Sequence, residues 1–273
     1  MIFLSAPTAK AILDALEKNA QQIEISLDLG ISVSNLSISD YKWDISKLHK
    51  IAQDPDTVYF INEEGVFKAA IIGKRFYKLM PSGEGNAPAL LIDGVLMHRV
   101  KDIDPMEDAR MKAHLCARRG SNMLEICTGL GYSTIACLEQ GIAHIVTIEK
   151  ESDVLDLAKI NPWSQRVFDD EKVEIIVADA SEAIQKIPTK RFHGILHDPP
   201  RFTHGSELYT EEFYSELYRV LRPKGVLYHY VGSPGGKHKK KDLPKGVMER
   251  LRRVGFVRVK RNSETLGVVA YRP

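Results

Sequence analysis

Cysteine is scarce in this chain: Cys116, Cys127 and Cys137 are the only three in 273 residues. An odd number without metal-ligand spacing builds neither a disulfide framework nor a thiolate metal site, and it points to a reducing, cytoplasmic compartment. Long apolar runs are also missing. No stretch reaches the roughly 18 residues that a spanning helix needs. The apolar Met1–Leu4 is broken at once by Ser5, Pro7 and Lys10, so neither a membrane span nor a secretory leader is expected. Charge of one sign is not in excess. The 38 Lys and Arg against 36 Asp and Glu leave +2, which argues against a surface that is basic throughout and leaves local patches open. Internal repeats are absent, and the lysine cluster within Ser233–Lys241 is the one biased tract.

What is present is ample core material, 44% hydrophobic residues, arranged around the stretch Met123–Ile135. An apolar run, Met123–Ile126, breaks into a turn containing Gly129 and Gly131 and reopens with Ile135, Ala136 and Leu138, the pattern of a buried strand passing to a helix beneath a nucleotide. Gly129 and Gly131 permit a sharp turn and a close approach to a ligand, and the helix that follows presents unpaired N–H groups toward the loop. Three further apolar runs also end in polar chemistry. Ala143–Ile148 ends in Glu149, Val173–Ala178 in Asp179, and Phe192–Leu196 in His197-Asp198-Pro199-Pro200-Arg201. With helical sequence between them, these four runs predict one ligand edge at the carboxyl ends of a parallel sheet, with Glu149 placed for the hydroxyls of a ribose.

The first hundred residues read differently. A short amphipathic helix over 7–18, a hairpin about Gly30, a helix near 46–52 and strands meeting across Asp93-Gly94 predict a small N-terminal α+β domain of hairpins, residues 1–98. It carries no catalytic spacing. The remainder, residues 99–273, is expected to be an α/β, Rossmann-like domain. A helix over 106–116, capped by Asp104 with Pro105 in its first turn, leads into it. His98, Arg110 and Lys112 near that helix read as surface charge, with approach to a ligand as the alternative.

Glu125-x-Cys127-x-Gly129-x-Gly131, followed by Glu149, Asp179 and Asp198-Pro199-Pro200-Arg201, resembles the ordered motifs of class I S-adenosylmethionine-dependent methyltransferases over about residues 105–273. More narrowly, Cys127–Tyr132, Asn161–Ser164, His197–Arg201 and Glu207-Leu-Tyr resemble a largely uncharacterised archaeal group of that class. The resemblance implies S-adenosylmethionine as cofactor, held by Glu125, Cys127, Thr128, Gly129, Gly131, Tyr132, Glu149, Lys150, Asp179 and Ala180. In it Glu125 acts on the methionine amino group, Glu149 holds the ribose, and Asp179 with Ala180 meets the adenine. Cys127 stands where the family usually has glycine. A thiol suits that corner if φ is negative, so Cys127 is expected to pack rather than react. A nicotinamide dehydrogenase is the competing reading of the same turn, but it wants a third glycine where Thr134 stands, and Glu125 suits a cationic amino acid better than a pyrophosphate.

Chemistry is expected at Asp198, Pro199, Pro200 and Arg201, with Arg201 and Phe202 toward the substrate and His197 either a satisfied strand-end histidine, the first reading, or a base toward the substrate. Two prolines fix φ and remove two N–H donors, stiffening the loop. In related amino-methyltransferases an Asp or Asn before Pro-Pro and an aromatic grips an NH₂ group. Arg201 replaces that aromatic, leaving substrate contact and a structural ion pair both open. Three functions follow: methyl transfer to a nitrogen acceptor, RNA among the candidates; aminopropyl transfer from decarboxylated S-adenosylmethionine to a polyamine; or cofactor binding without turnover. The lysine cluster and the basic helix after it read either as an RNA phosphate track or as solvated surface. The N-terminal hairpins offer a surface for a homo-oligomer.

Overall fold

The computed structural model describes residues 1–232 and 242–273. The lysines of residues 237–241, part of the expected RNA track, lie outside the described residues. Contacts divide the chain into two compact units, Met1–Met106 with Asp153–Gln165, and Glu107–Ser152 with Arg166–Pro273. The expected boundary after His98 falls inside the first unit.

The first unit is the α+β assembly of hairpins. Strands β1 (Ile2–Leu4), β4 (Tyr59–Asn62) and β5 (Gly65–Lys68) form one antiparallel sheet. Strands β2 (Gln22–Ile25) and β3 (Ser34–Ser37) form a second, and β6 (Ala70–Ile72), β7 (Phe76–Met80), β8 (Ala89–Ile92) and β9 (Val95–Leu96) a third. Helices α1 (Ala6–Glu17) and α2 (Ile45–Ala52) pack their apolar faces on one core containing Leu4, Ile12, Leu48 and Ile51. Asp93-Gly94 turns as expected, both residues at positive φ. The hairpin about Gly30 is wider than a two-residue turn, because the intervening loop has its own bonds. Gly30 N–H donates to Ser26 Oγ at 2.7 Å, Ser32 N–H to Asp28 Oδ1 at 2.9 Å, and Trp163 Nε1–H to the Leu29 carbonyl at 3.1 Å.

Helix α3 (Pro105–Cys116) opens at the end of this unit, its Met106 N–H capped by Asp104 Oδ1 at 2.6 Å. In the second unit β10 (Asn122–Ile126), α4 (Tyr132–Glu139), β11 (His144–Glu149), α5 (Ser152–Ile160), α6 (Gln165–Asp169), β12 (Val173–Val177), α7 (Ala180–Ala183), β13 (Phe192–His197), α8 (Glu211–Val220), β14 (Leu221–Tyr230), α9 (Leu243–Val254), β15 (Val257–Asn262) and β16 (Gly267–Tyr271) follow in order. By contacts, all of α5 after Ser152 belongs to the first unit.

The seven-stranded sheet runs β12-β11-β10-β13-β14-β16-β15, with the first five parallel and β16 antiparallel to both its neighbours. The strands expected from the four apolar runs lie side by side. Strands β10, β11 and β13 are buried, as expected where helices cover both faces of a sheet, and read as continuous apolar sequence, whereas β12 at the sheet edge is only partly buried, with Val177 exposed. Strand β14 extends back through Arg222-Pro-Lys-Gly, expected as a turn, by way of a bulge between Phe192 and Gly194 of its partner and a Lys224 at φ 65°. The single helix expected over 206–221 is divided at Thr210, whose Oγ1 accepts the Phe213 N–H at 3.2 Å and so begins α8 afresh after a 3₁₀ turn, Ser206–Tyr209. Sequence neighbours lie to one side of β10 and later strands to the other. This is a topological switch point, with the carboxyl ends of β10 and β13 flanking the crevice.

Candidate functional site

Register brings the expected edge together. Ile126 pairs with Ile148 and with His197, and Ile148 with Ile176, so Cys127, Glu149 and Asp198 leave the sheet at one level. The turn after β10 is held from below: the N–H groups of Cys127 and Thr128 both donate to the Ile148 carbonyl, at 2.9 and 3.2 Å. Cys127 has φ 71°, so the condition set for it is not met. The left-handed corner is kept with a β-carbon in it, at a cost of roughly 1–2 kcal/mol. Its thiol is pushed well up, first by burial and then by Glu149, Asp198, Glu125 and Glu207, which leaves it protonated and unsuited to nucleophilic attack.

The two glycines serve different ends. At Gly129, φ 55°, a Cβ would meet nothing within 4 Å, so space opens over this turn. At Gly131, φ 78° and the N-cap of α4, a Cβ would stand 2.4 Å from Val167 Cγ2, so close packing against protein, rather than against a ligand, requires glycine there. Tyr132 begins α4 with its side chain buried.

Behind the turn Glu125 is fully buried. Its Oε2 accepts from Thr147 Oγ1 at 2.6 Å and from the Thr134 hydroxyl, while Oε1 has no hydrogen-bond partner among the described residues. Burial, partly offset by the two threonines, pushes its carboxyl up to about 7. Thr134 and Thr147 were not expected here; a hydroxyl in the middle of a buried strand was the available signal for Thr147. Glu149 binds the loop together, accepting Gly129 N–H at 2.9 Å on Oε2 and the N–H groups of Lys150 and Glu151 at 2.9 and 3.0 Å on Oε1. Asp179 caps α7 through Ser181 N–H at 2.9 Å and pairs with the exposed Lys150 at 2.7 Å, with Ala180 buried beside it.

At the end of β13, Asp198 receives Lys112 Nζ on Oδ2 at 2.7 Å. Lys112 was expected on the surface; it is 6% exposed and also pairs with Asp108 at 2.7 Å. Burial pushes the Asp198 carboxyl up and Lys112 draws it back. Pro199 is buried, and the Pro200 carbonyl accepts from Tyr209 Oη at 2.9 Å. Arg201 and Phe202 are exposed, with Phe202 edge-on to Tyr209 at 5.4 Å between centroids. His197 is the satisfied strand-end histidine of the first reading and not a group toward the substrate. It is fully buried, its Nε2 lies 3.0 Å from the Leu208 carbonyl, and its ring packs 4.3 Å from that of His229. Burial lowers it to about 4, so it is neutral at physiological pH. Of the basic helix α9, Arg253 pairs with Glu211 at 2.8 Å and Arg252 donates to the Val259 carbonyl at 3.2 Å.

The donor set suits a cationic nucleoside on two observations: the open space over Gly129, and a buried Glu125 oxygen that lacks a partner among the described residues. The sheet order and the glycine turn at its switch point define a Rossmann-like α/β fold, and residues 155–235, less than half of the chain, match the family described as S-adenosyl-L-methionine-dependent methyltransferase. The chain is 43% identical, over its whole length and 96% of the other, to the uncharacterized protein MJ1233 of Methanocaldococcus jannaschii, and it belongs to that protein's family. It is also similar to polyamine aminopropyltransferase 2 of Hyperthermus butylicus, 27% identical over 55% of this chain and 51% of that one, so it spans about half of that relative. In fold it resembles a spermidine synthase solved in complex with the transition-state analogue AdoDATO, with TM-score 0.62, 21% identity, and 75% of this chain and 73% of that one covered. Among the described residues no helix is long and apolar enough to cross a membrane.

Proposed function

We propose that this chain transfers the methyl group of S-adenosylmethionine to a nitrogen of its acceptor. The observation that supports this most directly is the placement of Asp198, a partly exposed carboxylate that leaves β13 beside the glycine turn of β10. The turn Cys127–Tyr132, Glu125 and Glu149 would hold the cofactor, with Lys150, Asp179 and Ala180 toward its nucleoside end. When bound, S-adenosylmethionine supplies a carbon activated by its sulfonium: the acceptor nitrogen's lone pair forms the new bond, the carbon–sulfur pair stays on sulfur, and the nitrogen releases a proton to water. Asp198 accepts an N–H of the acceptor and aims its lone pair. The Pro199-Pro200 corner, tied down by Tyr209, keeps that carboxylate from swinging. Phe202 offers an apolar wall and Arg201 a cation for an anionic part of the acceptor, which an RNA would supply.

Aminopropyl transfer is the second reading, and one observation favours it besides the aminopropyltransferase relatives. Four acidic side chains, Glu125, Glu149, Asp198 and Glu207, surround the turn at Cys127, and such an acidic setting suits decarboxylated S-adenosylmethionine, which carries more positive charge than the methyl donor.

Incubation with each donor and with separate RNA, protein and small-molecule pools, followed by mass spectrometry, distinguishes them. Methyl transfer yields S-adenosylhomocysteine and a product heavier by one methyl group, whereas aminopropyl transfer yields 5′-methylthioadenosine. Asp198→Asn is expected to lower transfer by about 100-fold while leaving cofactor affinity within a factor of about three. Full activity in that variant removes Asp198 from the site, and neither co-product from any pool leaves a binding protein.

A further inference from the structure

Helix α3 carries Asp108 and Lys112 one turn apart, so both side chains lie on one face. That face is buried: the side chains of Lys112 and Asp108 are 8% and 4% exposed, while that of Asp198, from a strand end 86 residues further along, is 23% exposed. The three groups form a chain of contacts in which Lys112 Nζ lies 2.7 Å from Asp108 Oδ2 and 2.7 Å from Asp198 Oδ2. The same ammonium stands 4.5 Å from the centroid of the Tyr230 ring on β14.

We propose that Lys112 is the positioning residue of the site, holding Asp198 as an oriented carboxylate through one oxygen, with Asp108 setting how much of the ammonium's charge Asp198 receives. This deepens the reading of Asp198 as the acceptor's anchor and rests on it. An ammonium has three N–H bonds. With two turned to carboxylates and an aromatic ring beneath it, Lys112 is occupied within the protein and acts through Asp198.

The charges explain why a positioning residue is needed. A carboxylate removed from water takes up a proton unless a cation or hydrogen bonds compensate. At Asp198 burial raises the carboxyl, Lys112 lowers it by charge and hydrogen bond, and Asp108 raises it again. Lys112 itself is held protonated, with Asp198, Asp108 and Tyr228 outweighing its burial. Tyr230 and Tyr228 of β14, Asp108 of α3 and Asp198 are the titratable groups that face the ammonium. A protonated Asp198 turns one oxygen into a donor and keeps only an uncharged carbonyl oxygen to accept the acceptor's N–H, so loss of the ammonium weakens the anchor without removing the residue.

The test is a carboxyl-carbon NMR titration of Asp198 in the full chain, run on wild type, Lys112→Met and Asp108→Asn. Lys112→Met is expected to move the Asp198 titration up by about one pH unit or more. Asp108→Asn is expected to move it down, because the ammonium is then shared with no second carboxylate. A merely structural role gives no such opposition of sign, so shifts in one direction, or none, overturn the proposal. Should Lys112→Met fail to fold with two carboxylates left buried, Asp108→Asn decides alone, and an unmoved titration sinks the idea. Once the acceptor is known, the acid limb of the transfer rate should follow the carboxyl in both variants. Opposite carboxyl shifts with an unmoved acid limb would leave the coupling standing and refute Asp198 as the anchor, so the two failures are distinct.

Discussion

Glu125 and His197 are both fully buried, burial shifts one up and the other down, and their effects on stability oppose each other. Glu125 is raised to about 7 from its ordinary 4.5. The folded state therefore holds its proton more tightly, and its contribution is fully present below pH 4.5 and lost as pH rises through 7. His197 is lowered to about 4 from 6.5, so its contribution is fully present above pH 6.5 and lost as pH falls toward 4. Each is of order 3 kcal/mol over its window, taking about 1.4 kcal/mol per pH unit. Glu125→Gln should remove one arm and leave a steeper loss of stability on acidification from pH 6.5 to 4, read by urea midpoints across that range. An unchanged profile means that Glu125 is not titrating as its burial requires. None of this was legible in the sequence. Glu125 could be placed at a strand end, but the two threonines that hold it, Thr134 and Thr147, come from different elements.

At the scale of elements, an apolar run ending in a glycine or an acid is visible one-dimensionally, and β10, β11, β12 and β13 were all found that way, although β12 at the sheet edge is only partly buried. Boundaries set by a single side chain were harder. Thr210 restarts α8 and Lys224 bulges β14, each by a local hydrogen bond or a left-handed φ that apolar periodicity does not record. Contacts across long loops were invisible, which is why Lys112, facing Asp198 from 86 residues away, read as surface charge. The turn before α4 yields a prediction of its own. Gly131→Ala incurs both the left-handed penalty and a clash with Val167, and is expected to cost at least about 2 kcal/mol, seen as a fall in melting temperature. Adding Val167→Ala should return part of that loss relative to Val167→Ala alone. If the two substitutions are simply additive, Val167 is not what demands glycine.

For the whole molecule, the division into units is not a division of the chain at one point. The segment Asp153–Gln165 belongs with the first unit, where Trp163 binds the Leu29 carbonyl, although it lies between β11 and β12 of the large sheet. The cut at residue 98 suggested by the pattern of hairpins therefore separates partners. A truncation retaining residues 99–273 is expected to lose a single cooperative melting transition and to show weak near-ultraviolet circular dichroism. A sharp transition like that of the full chain would show that the segment needs no partner. Composition alone had no means of finding this, since the inserted residues read as ordinary helix between strands.

The same interleaving orders events during synthesis. A ribosome releases Met1–Met106 long before Trp163 has been translated, so the earlier-made unit stays incomplete while the strands that begin the second are already emerging. The first unit does not mature as a finished bead on a string: it waits for Asp153–Gln165, which lies within the second unit's stretch of message, so a translational pause between residues 106 and 165 would prolong the interval in which both are unfinished.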